Sequence, residues 1–182
     1  VFSVGFFIRH ELKIPDPIFP PKEFAKSAVW PCLVGSLLMG FCFLGLDTWV
    51  PLYVQGGKGG TAHDAANTVT PVMFCWALSA MLAAKLIVRW GFRNTSTLGV
   101  CFIIVGFVGL FFTSTMNAPA WALTTVLALS GLGFGPTSIS FLLGAQDAVA
   151  WEQRGIVTSA VTFGRQIGGA MGVGVLGAIF NV

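Results

Sequence analysis

Apolar residues run through this chain in long blocks rather than at the spacing of a half-buried helix. A bilayer core about 30 Å thick takes roughly 20 predominantly apolar residues per helix. Five stretches meet that length, at 27–53, 67–88, 95–115, 119–143 and 155–180. The segment Val1–Ile8 is apolar but shorter, and is read as the end of a preceding span. Turn chemistry separates the blocks at Gly56-Gly57-Lys58-Gly59-Gly60, at Arg89-Trp90-Gly91-Phe92-Arg93-Asn94 and at Met116-Asn117-Ala118. A soluble helical bundle would show polar faces at 3.6-residue spacing, whereas 95–115 carries no charged residue. The pattern predicts an all-α, polytopic membrane helix bundle of five complete spans plus the tail of another.

Composition and charge sharpen this picture. Of 182 residues, 55% are hydrophobic and 9% charged, against about a quarter charged in an ordinary soluble domain. Short cytoplasmic loops are enriched in Lys and Arg. Arg9, Lys13, Lys22, Lys26, Lys85, Arg89, Arg93 and Arg154 fall on alternate connections, with Lys58 alone on the others. The segment 9–26 is therefore predicted to be a basic cytoplasmic loop, with the connections near 85–94 and 145–154 on the same side. Trp30, Trp49, Trp90, Trp121 and Trp151 lie near span ends, where amphipathic rings favour the interface; Trp76 lies well inside a span. The chain opens inside one apolar run and stops after another, and is read as a fragment.

Charge within the hydrocarbon costs about 2.5–3.5 kcal/mol on insertion scales and marks functional candidates. Lys85 can snorkel to a helix end, which leaves Asp47 and Arg165 (with its neighbour Gln166) as proton or substrate candidates. Asp47 could instead be a hydrated carboxylate at the outer mouth, and Arg165 a structural pin bonded to helix carbonyls. Their depths differ by roughly 10–15 Å at 1.5 Å per residue, so no direct ion pair is expected. In Ser130–Ser140, Gly135, Pro136 and Ser138 are candidates for a helix that faces a polar pathway, because proline removes a backbone donor and glycine permits unwinding. Close packing is the alternative there. Gly164, Gly168 and Gly172 recur every four residues, the spacing of a helix-packing stripe.

Other signals carry no chemistry. Gly56–Thr61 does not meet the phosphate-loop pattern. His10 and His63 are predicted on opposite sides of the membrane, and the four cysteines lack metal or redox spacing. No metal site, nucleic-acid footprint or catalytic constellation is expected, and the chain is not read as an enzyme.

The order of several motifs resembles a known family. Thr48-Trp49-Val50-Pro51-Leu52-Tyr53-Val54-Gln55 is followed by a Gly-rich turn and Ala65-Ala66-Asn67-Thr68-Val69-Thr70-Pro71. Then come Val88-Arg89-Trp90-Gly91-Phe92-Arg93, Gln146-Asp147-Ala148-Val149 with Glu152-Gln153-Arg154-Gly155, and Gly164-Arg165-Gln166-Ile167-Gly168-Gly169-Ala170-Met171-Gly172. Together they resemble the major facilitator superfamily, in its fourteen-span drug:proton antiporter branch of the EmrB/QacA type. The resemblance implies that 27–180 is an incomplete C-terminal six-helix bundle, whose partner is the N-terminal bundle of the same chain. It places Asp47 and Gly135-Pro136 beside the substrate path. The second and fifth helices would face the other bundle, and the third would face lipid. Arg89, Gly91 and Arg93 would belong to a cytoplasmic gating loop, although the acidic residue that often precedes it is absent. The implied activity is secondary active efflux of drugs or other small hydrophobic or cationic compounds. A proton gradient would drive it by alternating access, without a cofactor, in the bacterial inner (plasma) membrane. A permease importing another solute on the same scaffold is the alternative.

Overall fold

The computed structural model describes residues 29–116 and 118–180, all helix or short connection. The expectations for 1–8 and 9–26 lie outside the described residues. Helix α1 is Val29–Leu52 and ends in a wider π turn at Tyr53–Gly57. A continuous run of helical residues, Ala62–Thr115, is broken at Gly91, where φ is 77° and ψ is 168°. Its limbs are α2 (62–90) and α3 (92–115). Helix α4 is Ala120–Asp147, a single turn of 3-10 helix follows at Trp151–Gln153, and α5 is Arg154–Phe180.

Two boundaries differ from expectation for local reasons. Helix α2 begins five residues early because Thr61 and Asp64 close a capping box. The Thr61 amide donates to Asp64 Oδ2 at 2.8 Å, and the Asp64 amide donates back to Thr61 Oγ1 at 3.3 Å. The expected six-residue turn at Arg89–Asn94 contracts to one residue, because helical geometry continues on both sides of Gly91. Gly91 occupies backbone space that is essentially reserved for glycine.

Contacts at the small residues give each helix its direction. Along α4, Gly131 meets Val72 and Gly135 meets Ser79, so α4 and α2 run the same way. Gly109 meets Val126, Gly106 meets Ser130 and Gly99 meets Thr137, so α3 runs against α4. The chain therefore reverses at Gly91, and Ala62–Thr115 is a helical hairpin rather than one rod. Helix α1 runs against α4, through Cys32 at Gly144 and Phe141 at Gly35. It runs with α5, through Leu37 at Gly168 and Phe41 at Gly172. The five helical segments alternate up and down.

The bundle is apolar outside and small or polar within. Three core clusters stack along it: Val29, Ala145 and Val157 at one end, Met39, Phe43 and Phe134 in the middle, and Leu46, Val72 and Leu127 at the other. Ser36, Thr68, Ser79, Thr95, Ser130, Thr137 and Ser140 are buried, while Phe74, Met81, Val88, Phe111 and Trp121 are each more than 60% exposed. Most of these buried hydroxyls donate to carbonyls one turn back, as Thr137 Oγ1 does to Gly133 at 2.8 Å and Thr95 Oγ1 to Gly91 at 2.9 Å. This inversion suits lipid, where association relies on close packing of small residues rather than on hiding apolar area from water. By length and hydropathy, Val29–Gly57, Ala62–Thr115 and Ala120–Asp147 are able to cross a membrane. Arg154–Phe180, at 27 residues, is of similar length and carries Arg165 and Gln166 near its middle.

Candidate functional site

Four of the five helices converge on one cavity of about 360 Å³, and α3 does not reach it. Helix α1 supplies Ser36 and Met39, α2 supplies Met73, Trp76 and Ala77, α4 supplies Ser138 and Leu142, and α5 supplies Thr162 and Arg165. Trp76 is fixed from two sides. Its indole Nε1 donates to Ser138 Oγ at 3.4 Å, and that hydroxyl donates to the Gly135 carbonyl at 3.0 Å. Its ring lies 4.5 Å from that of Phe43, which in turn meets Phe134 edge-on at 5.3 Å. The result is a rigid aromatic wall with one hydroxyl beside it and the half-buried Arg165 on another wall.

Arg165 reaches this position because α5 and α1 approach almost backbone to backbone. Gly40 faces the Arg165 carbonyl, and Gly168 faces that of Leu37. Side chains on either helix would push them apart. The Gly164–Gly168–Gly172 stripe thus packs on α1 within this bundle: Gly168 and Gly172 are tight, and a methyl at Gly164 would stand 3.7 Å from the Leu33 carbonyl. The resemblance suggested the opposite bundle as this face's partner. The glycines instead fill the small space between two parallel helices, where Cα–H groups can meet carbonyls.

The other candidates fall in different places. Asp47 is half-buried and does not line the cavity. It shares a face of α1 with Ser36, Met39 and Phe43 at successive 3- and 4-residue steps. Because α1 and α5 are parallel, with Leu37 facing Gly168 and Gly40 facing Arg165, Asp47 lies roughly 10–20 Å further along the bundle than Arg165. Gln166 is exposed away from the cavity. Gly135 and Pro136, expected on a polar path, are buried. Gly135 packs on Ser79 and Ala80 of α2, and α4 stays helical through Pro136. Packing against α2 has used the space that the missing Gly135 side chain opened. Ser138, one half-turn on, is the member of that set that reaches the cavity.

A second cavity, of about 370 Å³, lies at the end of the bundle where α1 begins and α4 finishes. Arg93 and Ser96 of α3 line it together with Ser140, Gly144 and Asp147 of α4. The Ser140 hydroxyl is buried there without a hydrogen-bond partner among the described residues. Of the expected gating residues, Arg93 lines this cavity, Gly91 makes the reversal and Arg89 is exposed.

Sequence reasoning did not single out Ser36, Met39 or Met73 for the central cavity. Trp76 carried a signal, as the tryptophan deep inside a span. Such a ring in the hydrocarbon calls for a partner for its N–H, which Ser138 supplies.

Comparison with known proteins bears on this architecture. Over 181 residues the chain is 30% identical to the Multidrug transporter protein MdtP of Bacillus subtilis (strain 168), covering all of this chain and 33% of that protein. It is 27% identical over 176 residues to a Tetracycline resistance determinant of Streptomyces rimosus, covering 96% of this chain and 50% of that one. It is 25% identical over 180 residues to Citrate exporter 1 of Yarrowia lipolytica (strain CLIB 122 / E 150), covering 98% of this chain and 27% of that one. The chain thus spans half or less of the length of these curated relatives. The model of the Major Facilitator Superfamily matches residues 7–173. With a match across nearly its whole length and an inverted bundle of alternating helices, the chain belongs to the Major Facilitator Superfamily.

Proposed function

We propose that this chain forms most of one half of a secondary active exporter of small organic compounds, driven by a proton gradient. Its five helical segments would be five membrane crossings, with the cavity between α1, α2, α4 and α5 turned toward the other half of the transporter. The observation that carries this reading is the cavity itself. A rigid aromatic wall, three hydroxyls and one cation converge from four helices at mid-bundle, while the outward faces are apolar. Rocking one bundle against the other around such a site is how alternating access works in folds of this kind. Relatives named for multidrug transport and tetracycline resistance support export over import.

Asp47 is the proposed proton-responsive group. It is half-buried on the α1 face that continues from the cavity, and protonation would remove the cost of enclosing its charge. Asp47→Asn in the complete transporter is expected to abolish uncoupler-sensitive efflux while leaving protein levels unchanged. Efflux with wild-type rate and pH dependence would remove Asp47 from the coupling mechanism.

A further inference from the structure

Arg165 is the one ionisable side chain, among the described residues, that lines the central cavity. On the parallel helix α1, Asp47 lies roughly 10–20 Å further along the bundle axis. Asp147 lines the other cavity. No ion pair or hydrogen bond involving the guanidinium links it to a described residue, so the cavity presents its donors to whatever enters. A guanidinium recognises planar anions with a fork of parallel N–H donors. Trp76 offers an aromatic face beside it, Ser138 and Ser36 add hydroxyls, and Met39, Met73 and Leu142 provide apolar walls.

We infer that the cavity selects organic anions: a flat, apolar body carrying one carboxylate or sulfonate, with the anion on Arg165 and the body against Trp76. This inference rests on reading the cavity as the transport site. It runs against the cationic compounds suggested by family resemblance, because a cation would meet Arg165 as a like charge. A bound anion would also offset the cost of keeping an arginine at mid-membrane.

The test uses the complete transporter in detergent micelles and three probes of one shape: 1-naphthoate, neutral 1-naphthamide and cationic 1-naphthylmethylammonium. Equilibrium binding is expected to favour naphthoate over naphthamide by about tenfold or more, the size of a charge-assisted hydrogen bond, with the cation weakest. Arg165→Gln should erase the preference by weakening naphthoate alone, and Arg165→Lys should keep part of it. Thr162→Asp, at the exposed cavity edge one turn before Arg165, is a second variant that leaves the arginine in place. It should weaken naphthoate at least tenfold more than it weakens naphthamide. Equal wild-type affinities, a preference for the cation, or a parallel loss of both probes in Arg165→Gln would overturn the inference. The same transporter in sealed proteoliposomes with an imposed proton gradient separates the two readings: if driven movement of naphthamide persists while naphthoate shows no binding preference, the anion assignment fails and the transport reading stands. Selective naphthoate binding without driven transport of any probe would fail the transport reading alone.

Discussion

The close approach of α1 and α5 makes a demanding prediction, because it is held by the absence of side chains. A methyl group at Gly40 would overlap the Arg165 carbonyl, and one at Gly168 would overlap that of Leu37. Both obstacles are backbone atoms, which cannot swing aside. Restoring an ordinary approach requires the helices to part by about 1 Å or more. Overpacking of this kind costs about 1–3 kcal/mol, and the better helix propensity of alanine returns up to about 1 kcal/mol. Gly40→Ala and Gly168→Ala should therefore each destabilise the complete transporter by about 1–2 kcal/mol, a factor of roughly 5–30 in the unfolding equilibrium. Gly155→Ala is the control, since nothing lies within 4 Å of a methyl placed there; it should fall within about 0.5 kcal/mol of wild type. The double variant should cost less than the two single changes together, because helices parted for one methyl have room for the second. Reversible unfolding in mixed micelles measures all four. If Gly40→Ala and Gly168→Ala match the Gly155→Ala control, or if their effects simply add, the parallel glycine contact is not what joins α1 to α5.

Gly91→Ala places a side chain where φ is 77° and ψ is 168°. It should cost about 1–3 kcal/mol, read as a lower thermal midpoint, although open space surrounds the position. Hydrogen bonds from the Thr61 hydroxyl and amide, assisted by His63, hold the Asp64 carboxyl below its ordinary value of 3.8. A depressed carboxyl stabilises the folded cap fully above that ordinary value and loses the effect as pH falls through the folded one. The protection of amides in the first turn of α2, taken relative to their intrinsic exchange rate at each pH, should therefore fall only below about pH 3.8, and Thr61→Ala should lower it at neutral pH.

Much of this fold is written in the chain, because a bilayer demands long apolar blocks with turn residues between them. The blocks at 27–53 and 119–143 sit close to α1 and α4. The Gly164–Gly168–Gly172 spacing announces a packing face, but periodicity names no partner, and Gly40 on α1 shows no such repeat. The start of α2 is encoded in Thr61-x-x-Asp64, a signal masked by the glycine-rich turn before it. The reversal at Gly91 was not legible as one residue, since Arg89–Asn94 has the composition of a longer loop. Gly135 and Pro136 show the deeper limit. Small residues open space, and only the assembled bundle decides whether a pathway or a neighbouring helix fills it. The cavity itself joins Ser36, Trp76, Ser138 and Arg165 from four separate helices, a convergence no local pattern encodes.

Solvent access to Ser138 tests most directly whether the cavity is one wall of an alternating-access path. A single cysteine at Ser138 would be placed in a complete transporter whose Cys32, Cys42, Cys75 and Cys101 have been replaced, with a second cysteine variant at the outward-facing Ile104, which is 56% exposed on α3. A charged, membrane-impermeant thiol reagent should label Ser138→Cys at a rate that changes when a proton gradient is imposed, and should leave Ile104→Cys unlabelled in lipid. Labelling of Ile104→Cys with Ser138→Cys inert under both conditions would contradict both the membrane orientation and the transport site.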